Sequence, residues 1–145
     1  MKCMEPTELE APTLQTCELN LPMGILGFEK IKNYLLIANP DEEPFRWLQV
    51  KGDVNLAFVV VEPFVVVPDY HPDIPQVDVD FLGLTEPEDA ILFSIVTLHG
   101  ANRATINLKG PLVINRHTGV GKQVIIANAA QYSVEHPLTL AEVAA

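Results

Sequence analysis

Polar and apolar residues alternate at every step of Arg103-Ala104-Thr105-Ile106-Asn107-Leu108-Lys109. A period of two places Ala104, Ile106 and Leu108 on one face of a strand and the four polar residues on the other. Further strands are predicted over 14–19, 34–38, 56–61, 64–67, 91–98, 112–114 and 123–127, all rich in Val, Ile, Leu or Phe. Helical signals are poor. Twelve prolines punctuate the chain, and only Thr85-Glu86-Pro87-Glu88-Asp89 resembles a capped helix start, enough for one or two turns. Many short strands without interleaved helices predict an all-β fold, a small antiparallel β-barrel-like domain. It is expected to form one unit over 1–145, loose at 1–12 and 139–145.

Two stretches modulate the strand pattern. Residues 58–67, FVVVEPFVVV, repeat an aliphatic run across Pro63, whose missing amide predicts a bend or bulge where a strand turns a barrel corner. Residues 67–78, VPDYHPDIPQVD, hold three prolines in twelve residues and read as an irregular loop with the Tyr70 ring partly buried.

NRHTGVGKQV, residues 115–124, contains a Gly-x-Gly-Lys run. A phosphate-binding loop needs a leading glycine five positions before the second glycine and a hydroxyl after the lysine. Those positions hold Arg116 and Gln123, and an aliphatic β-branched run follows where a helix should open. The stretch is predicted to be a hairpin. Residues 112–114 go up, Thr118-Gly119-Val120-Gly121 turns, and 123–127 returns, so Lys122 carries no structural weight.

Composition bounds the function. The first ten residues carry three glutamates where a secretion signal needs an apolar stretch. The longest run without Asp, Glu, Lys or Arg, residues 90–102, is thirteen long, too short for a membrane-spanning helix. A cytoplasmic protein with Cys3 and Cys17 as free thiols is the expectation. The net charge of −10 argues against direct nucleic-acid binding. No Lys or Arg lies between Lys51 and Arg103, an interval with nine acids from Asp53 to Asp89. Such a field attracts a basic partner, or simply keeps the surface solvated.

No motif specific for catalysis is present. The two serines, Ser94 and Ser133, lack the nucleophile-elbow context, and the four histidines are too widely spaced to pair as ligands. Asp69, His71 and Asp73 would share one face if extended, which leaves a weak metal possibility. Phe45-Arg46-Trp47 can anchor a protein interface, where Trp and Arg are enriched, or supply core packing. Asp69 and Asp73 around Tyr70 suit a basic partner, because a proline-fixed loop loses little entropy on docking. A small ligand-binding β-barrel, or less readily a carboxylate- or His-dependent enzyme, also fits this composition.

Six segments occur in an order that resembles one family. They are Gly24-Ile25-Leu26-Gly27-Phe28-Glu29; Pro44-Phe45 with Leu48-Gln49; Val61-Glu62-Pro63-Phe64 with Pro68-Asp69-Tyr70; 107–115, NLKGPLVIN; Gly121-Lys122-Gln123-Val124-Ile125; and Tyr132 with His136-Pro137-Leu138. Together they look like the flagellar assembly factor FliW family. Glu135 departs from it, standing where the family commonly has arginine. The resemblance implies a β-barrel-like fold without catalysis or cofactor and two protein partners. These are flagellin and the RNA-binding translational regulator CsrA, which FliW captures once flagellin is exported, relieving repression of flagellin translation. Partner-binding candidates are then Phe45, Arg46, Trp47, Glu62, Asp69, Tyr70, Asp73, Asn107 and Asn115.

Overall fold

The structure, a computed structural model, describes residues 14–138 and the backbone of Cys3–Met4. Apart from that pair, the expectation of loose ends at 1–12 and 139–145 lies outside the described residues. Ten strands follow in chain order: β1 Cys3–Met4, β2 Gln15–Asn20, β3 Asn33–Ala38, β4 Phe45–Val50, β5 Ala57–Val61, β6 Ala90–Leu98, β7 Ala104–Ile106, β8 Leu112–Asn115, β9 Gly121–Gln123 and β10 His136–Leu138. Every ladder is antiparallel. The sheet runs β1-β2-β3-β4-β5-β6-β7-β10, with β8 also on β6 and β9 on β8. One bridge, Asn20 to Val120, brings β2 to the β8–β9 hairpin without closing a continuous ladder. The fold is all-β and barrel-like, as the strand pattern predicts.

Buried side chains sort into two larger cores and a third, smaller cluster of Leu82, Val113 and Val124. Cys17, Leu19, Tyr34, Leu36, Leu48, Val50 and Val60 form the inner face of β2 to β5 and pack with Phe93, Leu112 and Ile114. Val61, Tyr70, Ala104, Ile106, Leu108, Ile126 and Leu138 form a second cluster. What separates them is a break in the long partner of β6. Val96 pairs with Ile106 and Phe93 with Leu112, so three residues of β6 oppose six of the other strand. The three extra residues lie in the Asn107–Pro111 segment and bend the sheet.

Several segments differ from expectation. Residues 64–67 are not a strand: helix α1 spans Pro63–Val66, with Pro63 at its first turn, where a missing amide costs nothing. Val-rich composition loses here to proline's fixed φ. Helix α2, Gln76–Leu82, starts within the last three residues of the 67–78 stretch that reads as irregular loop and runs beyond it. The 85–89 signal becomes a single 3₁₀ turn, Pro87–Asp89, with a reciprocal capping box between Glu86 and Asp89. Phe45–Val50 is a strand absent from the predicted set. The return strand of the hairpin is Gly121–Gln123 and does not continue as a ladder to 127.

Two further corrections concern side chains. Thr105 does not face solvent: it is 1 % exposed, and its hydroxyl lies 2.8 Å from His99 Nε2. β10 pairs with the edge of β7 away from β6, so β7 is an interior strand; of the residues expected on its polar face Thr105 is buried, Asn107 and Lys109 are half-buried and Arg103 is exposed. Cys17 is disulfide-bonded rather than a free thiol, and the register sets it opposite Cys3.

Candidate partner-binding surface

The Asn107–Pro111 bulge is built by side-chain oxygens. Asn107 Oδ1 accepts from the amides of Lys109 and Gly110, both at 3.0 Å, satisfying two donors that a regular ladder would have paired. The Leu108 carbonyl is met by the Tyr70 hydroxyl at 2.6 Å, and the Gly110 carbonyl by Gln123 Nε2 at 3.1 Å. Tyr70 is buried, and burial, followed by the neighbouring Tyr132, pushes its hydroxyl pKa up. Asn115 performs the same service at the hairpin. Its Oδ1 accepts from the His117 amide at 2.8 Å, and its Nδ2 donates to the Leu82 carbonyl at 2.9 Å.

The turn itself is Arg116–Gly119, two residues earlier than the sequence suggests, and Gly119 takes a φ of 75°. Gly121 matters for space rather than angle: a Cβ there would meet Leu21 Cδ2 at 2.8 Å and Ile114 Cγ1 at 2.9 Å. Lys122 is not idle. Its Nζ pairs with the buried carboxylate of Asp78 on α2 and sits 5.5 Å from the centre of the Phe81 ring. The lysine therefore pins α2 to the hairpin, contrary to the expectation that it carries no structural weight.

The prolyl loop is anchored to 127–132. The Asp73 amide donates to Asn128 Oδ1, Asn128 Nδ2 donates to the His71 carbonyl, both at 2.8 Å, and the His71 amide donates to the Tyr132 hydroxyl at 3.0 Å. Asp69 and Asp73 are exposed on this fixed loop. No group of three His, Cys, Asp or Glu among the described residues could hold a metal ion, so Asp69, His71 and Asp73 do not converge. Not all of the nine acids are free surface charges. Asp78 is buried with Lys122, and Asp89 accepts from the Thr85 hydroxyl, the Glu86 amide and His117, which together hold its pKa well below the usual range.

Around Phe45, Arg46 and Trp47 the alternation of β4 splits the trio. Arg46 turns to the inner face, its guanidinium 5.5 Å from the Phe93 ring centre. Phe45 and Trp47 lie on the outer face, where they line a groove of about 330 Å³ with Val59, Val96, Leu98 and Leu138. Trp47 is 40 % exposed, so core packing does not account for it, and Leu98 is 71 % exposed. Glu42, on the 3₁₀ turn Pro40–Glu42 before β4, also lines the groove and accepts from Trp47 Nε1 at 3.3 Å.

Of the nine candidates, Phe45 and Trp47 thus share a site. Asp69 and Asp73 occupy a separate loop, and Tyr70, Asn107 and Asn115 are engaged in holding backbone. Glu62 is half-buried at the start of α1, without a side-chain capping bond. Sequence reasoning missed Leu98, Val59 and Glu42. Leu98 ends an apolar run and gave no signal of exposure; Glu42, five residues from Trp47, was the one legible clue.

A profile of the FliW family, described as FliW protein, matches residues 4–138. The flagellar assembly factor FliW of Leptospira interrogans serovar Lai is 39 % identical over 112 residues, covering 76 % of this chain and 75 % of that protein. That of Moorella thermoacetica is 35 % identical over 122 residues, covering 83 % and 77 %. A crystal structure of the flagellar assembly factor FliW superposes with a TM-score of 0.75 at 35 % identity, covering 83 % of this chain and 84 % of the other. Sequence, fold and motif placement agree, and the chain belongs to the FliW family.

Proposed function

We propose that this chain is a non-enzymatic flagellar assembly factor that acts in the cytoplasm by binding proteins. It holds flagellin and, when flagellin is withdrawn, binds and antagonises CsrA, so that flagellin translation resumes. The observation that carries this reading is the contrast in how side chains are employed: the polar motif residues hold backbone, whereas Trp47 and Leu98 present apolar surface around a groove. Exposed apolar clefts of this kind mark interaction sites. A net charge of −10 favours a partner that is basic because it grips RNA.

The ligand-barrel alternative is disfavoured by the interior. Leu21, Tyr34, Leu48, Leu112 and Ile114 fill it, each at most 1 % exposed. Mutual exclusion tests the switch. Flagellin titrated into a preformed complex of this chain with CsrA should release CsrA, and CsrA should weaken flagellin binding by the same factor. A ternary complex that persists at saturating flagellin sinks the switch; failure to bind either protein sinks the whole reading.

A further inference from the structure

Resting on that reading, we infer that the Trp47 groove is the seat of a partner helix, an amphipathic segment with an aliphatic stripe and lysine or arginine at one end. The groove is lined from β4 (Trp47), β5 (Val59), β6 (Val96, Leu98), β7 (Ala104) and β10 (Leu138), so it crosses five neighbouring strands. Four inter-strand steps span roughly 19 Å. At 1.5 Å per residue that length accommodates about 13 residues of helix.

Secondary structure of the occupant follows from hydrogen bonding. β4, β5, β6 and β7 are each paired on both edges, so a chain lying on their outer face finds no ladder to join. Its amides and carbonyls must be satisfied within itself, and a helix does this while offering one apolar face. Ala104 and Leu138 are nearly buried and form the floor, while Trp47 and Leu98 stand higher as walls.

Charge sets the direction. Glu42 is the sole charged residue lining the groove, and Asp41 and Glu43 beside it are exposed. These three acids lie at the Trp47 end. At the far end the β6–β7 turn carries Arg103, directly before Ala104. A helix with its cations over residues 41–43 matches this polarity, and the reversed helix opposes it.

Trp47 is the chain's one tryptophan, so its fluorescence reports the groove directly. The full chain is titrated with a 14-residue peptide carrying leucines at helical spacing and three lysines at one end, with its glutamate counterpart, and with purified CsrA and flagellin. The lysine peptide and at least one protein should shift Trp47 emission to the blue and saturate. The glutamate peptide should bind roughly tenfold more weakly at low salt. Leu98→Glu, a substitution at an exposed site, should abolish the shift and weaken that protein roughly tenfold or more, with an unchanged melting curve.

If CsrA and flagellin bind Leu98→Glu as well as the parent chain and leave Trp47 emission unmoved, the groove inference falls while the proposed function stands. If neither protein binds but the lysine peptide does, the proposed function falls and the groove stands. Equal binding of both peptides overturns the charge assignment. A shift that depends only on the chain's own concentration, with dimers on sedimentation, makes the occupant a second copy and overturns the helix.

Discussion

Two regions of this molecule hold similar residues in opposite ways. At the Asn107–Pro111 bulge, Tyr70, Asn107 and Gln123 each bond a backbone group that the bent sheet leaves over, and at the neighbouring hairpin Asn115 does the same for the Leu82 carbonyl at the end of α2. At the groove, Trp47, Leu98 and Glu42 stand outward, and the one bond among them, from Trp47 Nε1 to Glu42, is long at 3.3 Å. The comparison separates motifs that shape the fold from surface left for a partner. An aromatic or amide in a family motif is not thereby a contact residue; what decides is whether its polar atoms are already spent.

The largest effect expected from breaking the bulge side lies in β7. Ile106→Asp and Thr105→Asp should both destabilise by about 4 kcal/mol or more, since each places a carboxylate in a site at most 1 % exposed. Urea melts of the two variants check this. A Thr105→Asp variant close to the parent would mean that Thr105 does not face the interior.

Next comes the ion pair. Lys122→Ala leaves the Asp78 carboxylate buried without its cation and should cost about 3 kcal/mol. The double variant Asp78→Leu, Lys122→Met removes both charges and should recover most of that loss. If Lys122→Ala melts like the parent, the lysine does not pin α2.

Legibility followed the range of the deciding interaction. The all-β class, the β8–β9 hairpin and the failure of the phosphate loop were local matters, readable from alternation and from Arg116 and Gln123. α2 was not readable, because its sequence QVDVDFL alternates like a strand and turns Asp78 inward toward a lysine 44 residues away. Thr105 failed for the same reason: a period of two assigns faces but cannot foresee a C-terminal strand laid alongside. α1 was within reach, since Pro63 forbids a ladder amide and suits a first helical turn. Phe45 and Trp47 fall together on one face of β4, whereas Arg46 between them faces the other way, as a strand's period of two requires.

A smaller loss is expected where one hydrogen bond is removed and the shape kept. Tyr70→Phe deletes the donor to the Leu108 carbonyl and should cost about 1 to 2 kcal/mol, with the T-shaped packing on Tyr132 intact. Thermal melting measures it, and partner binding should scale only with the fraction folded. A Tyr70→Phe variant of full stability that bound CsrA or flagellin far more weakly would move Tyr70 to the contact side of the comparison.

The smallest effect concerns the prolyl loop, which holds both kinds of residue in one segment. Asp69 and Asp73 are exposed, yet their loop is fixed through the Asp73 amide and carbonyl, the His71 carbonyl and Asn128. Neutralising the carboxylates leaves those backbone bonds in place, so Asp69→Asn, Asp73→Asn should change stability by less than about 0.5 kcal/mol. What the charges can do is act at a distance. They add to the field that draws a basic partner inward, an influence on the association rate more than on the final complex. Stopped-flow association with CsrA should be slower by roughly two- to fivefold at low salt. The deficit should fade as ionic strength rises and the screening length shrinks to about 8 Å near physiological salt. A deficit that persists at high salt would instead place the loop in the contact itself; an unchanged rate at low salt would leave these two acids as solvating charges only.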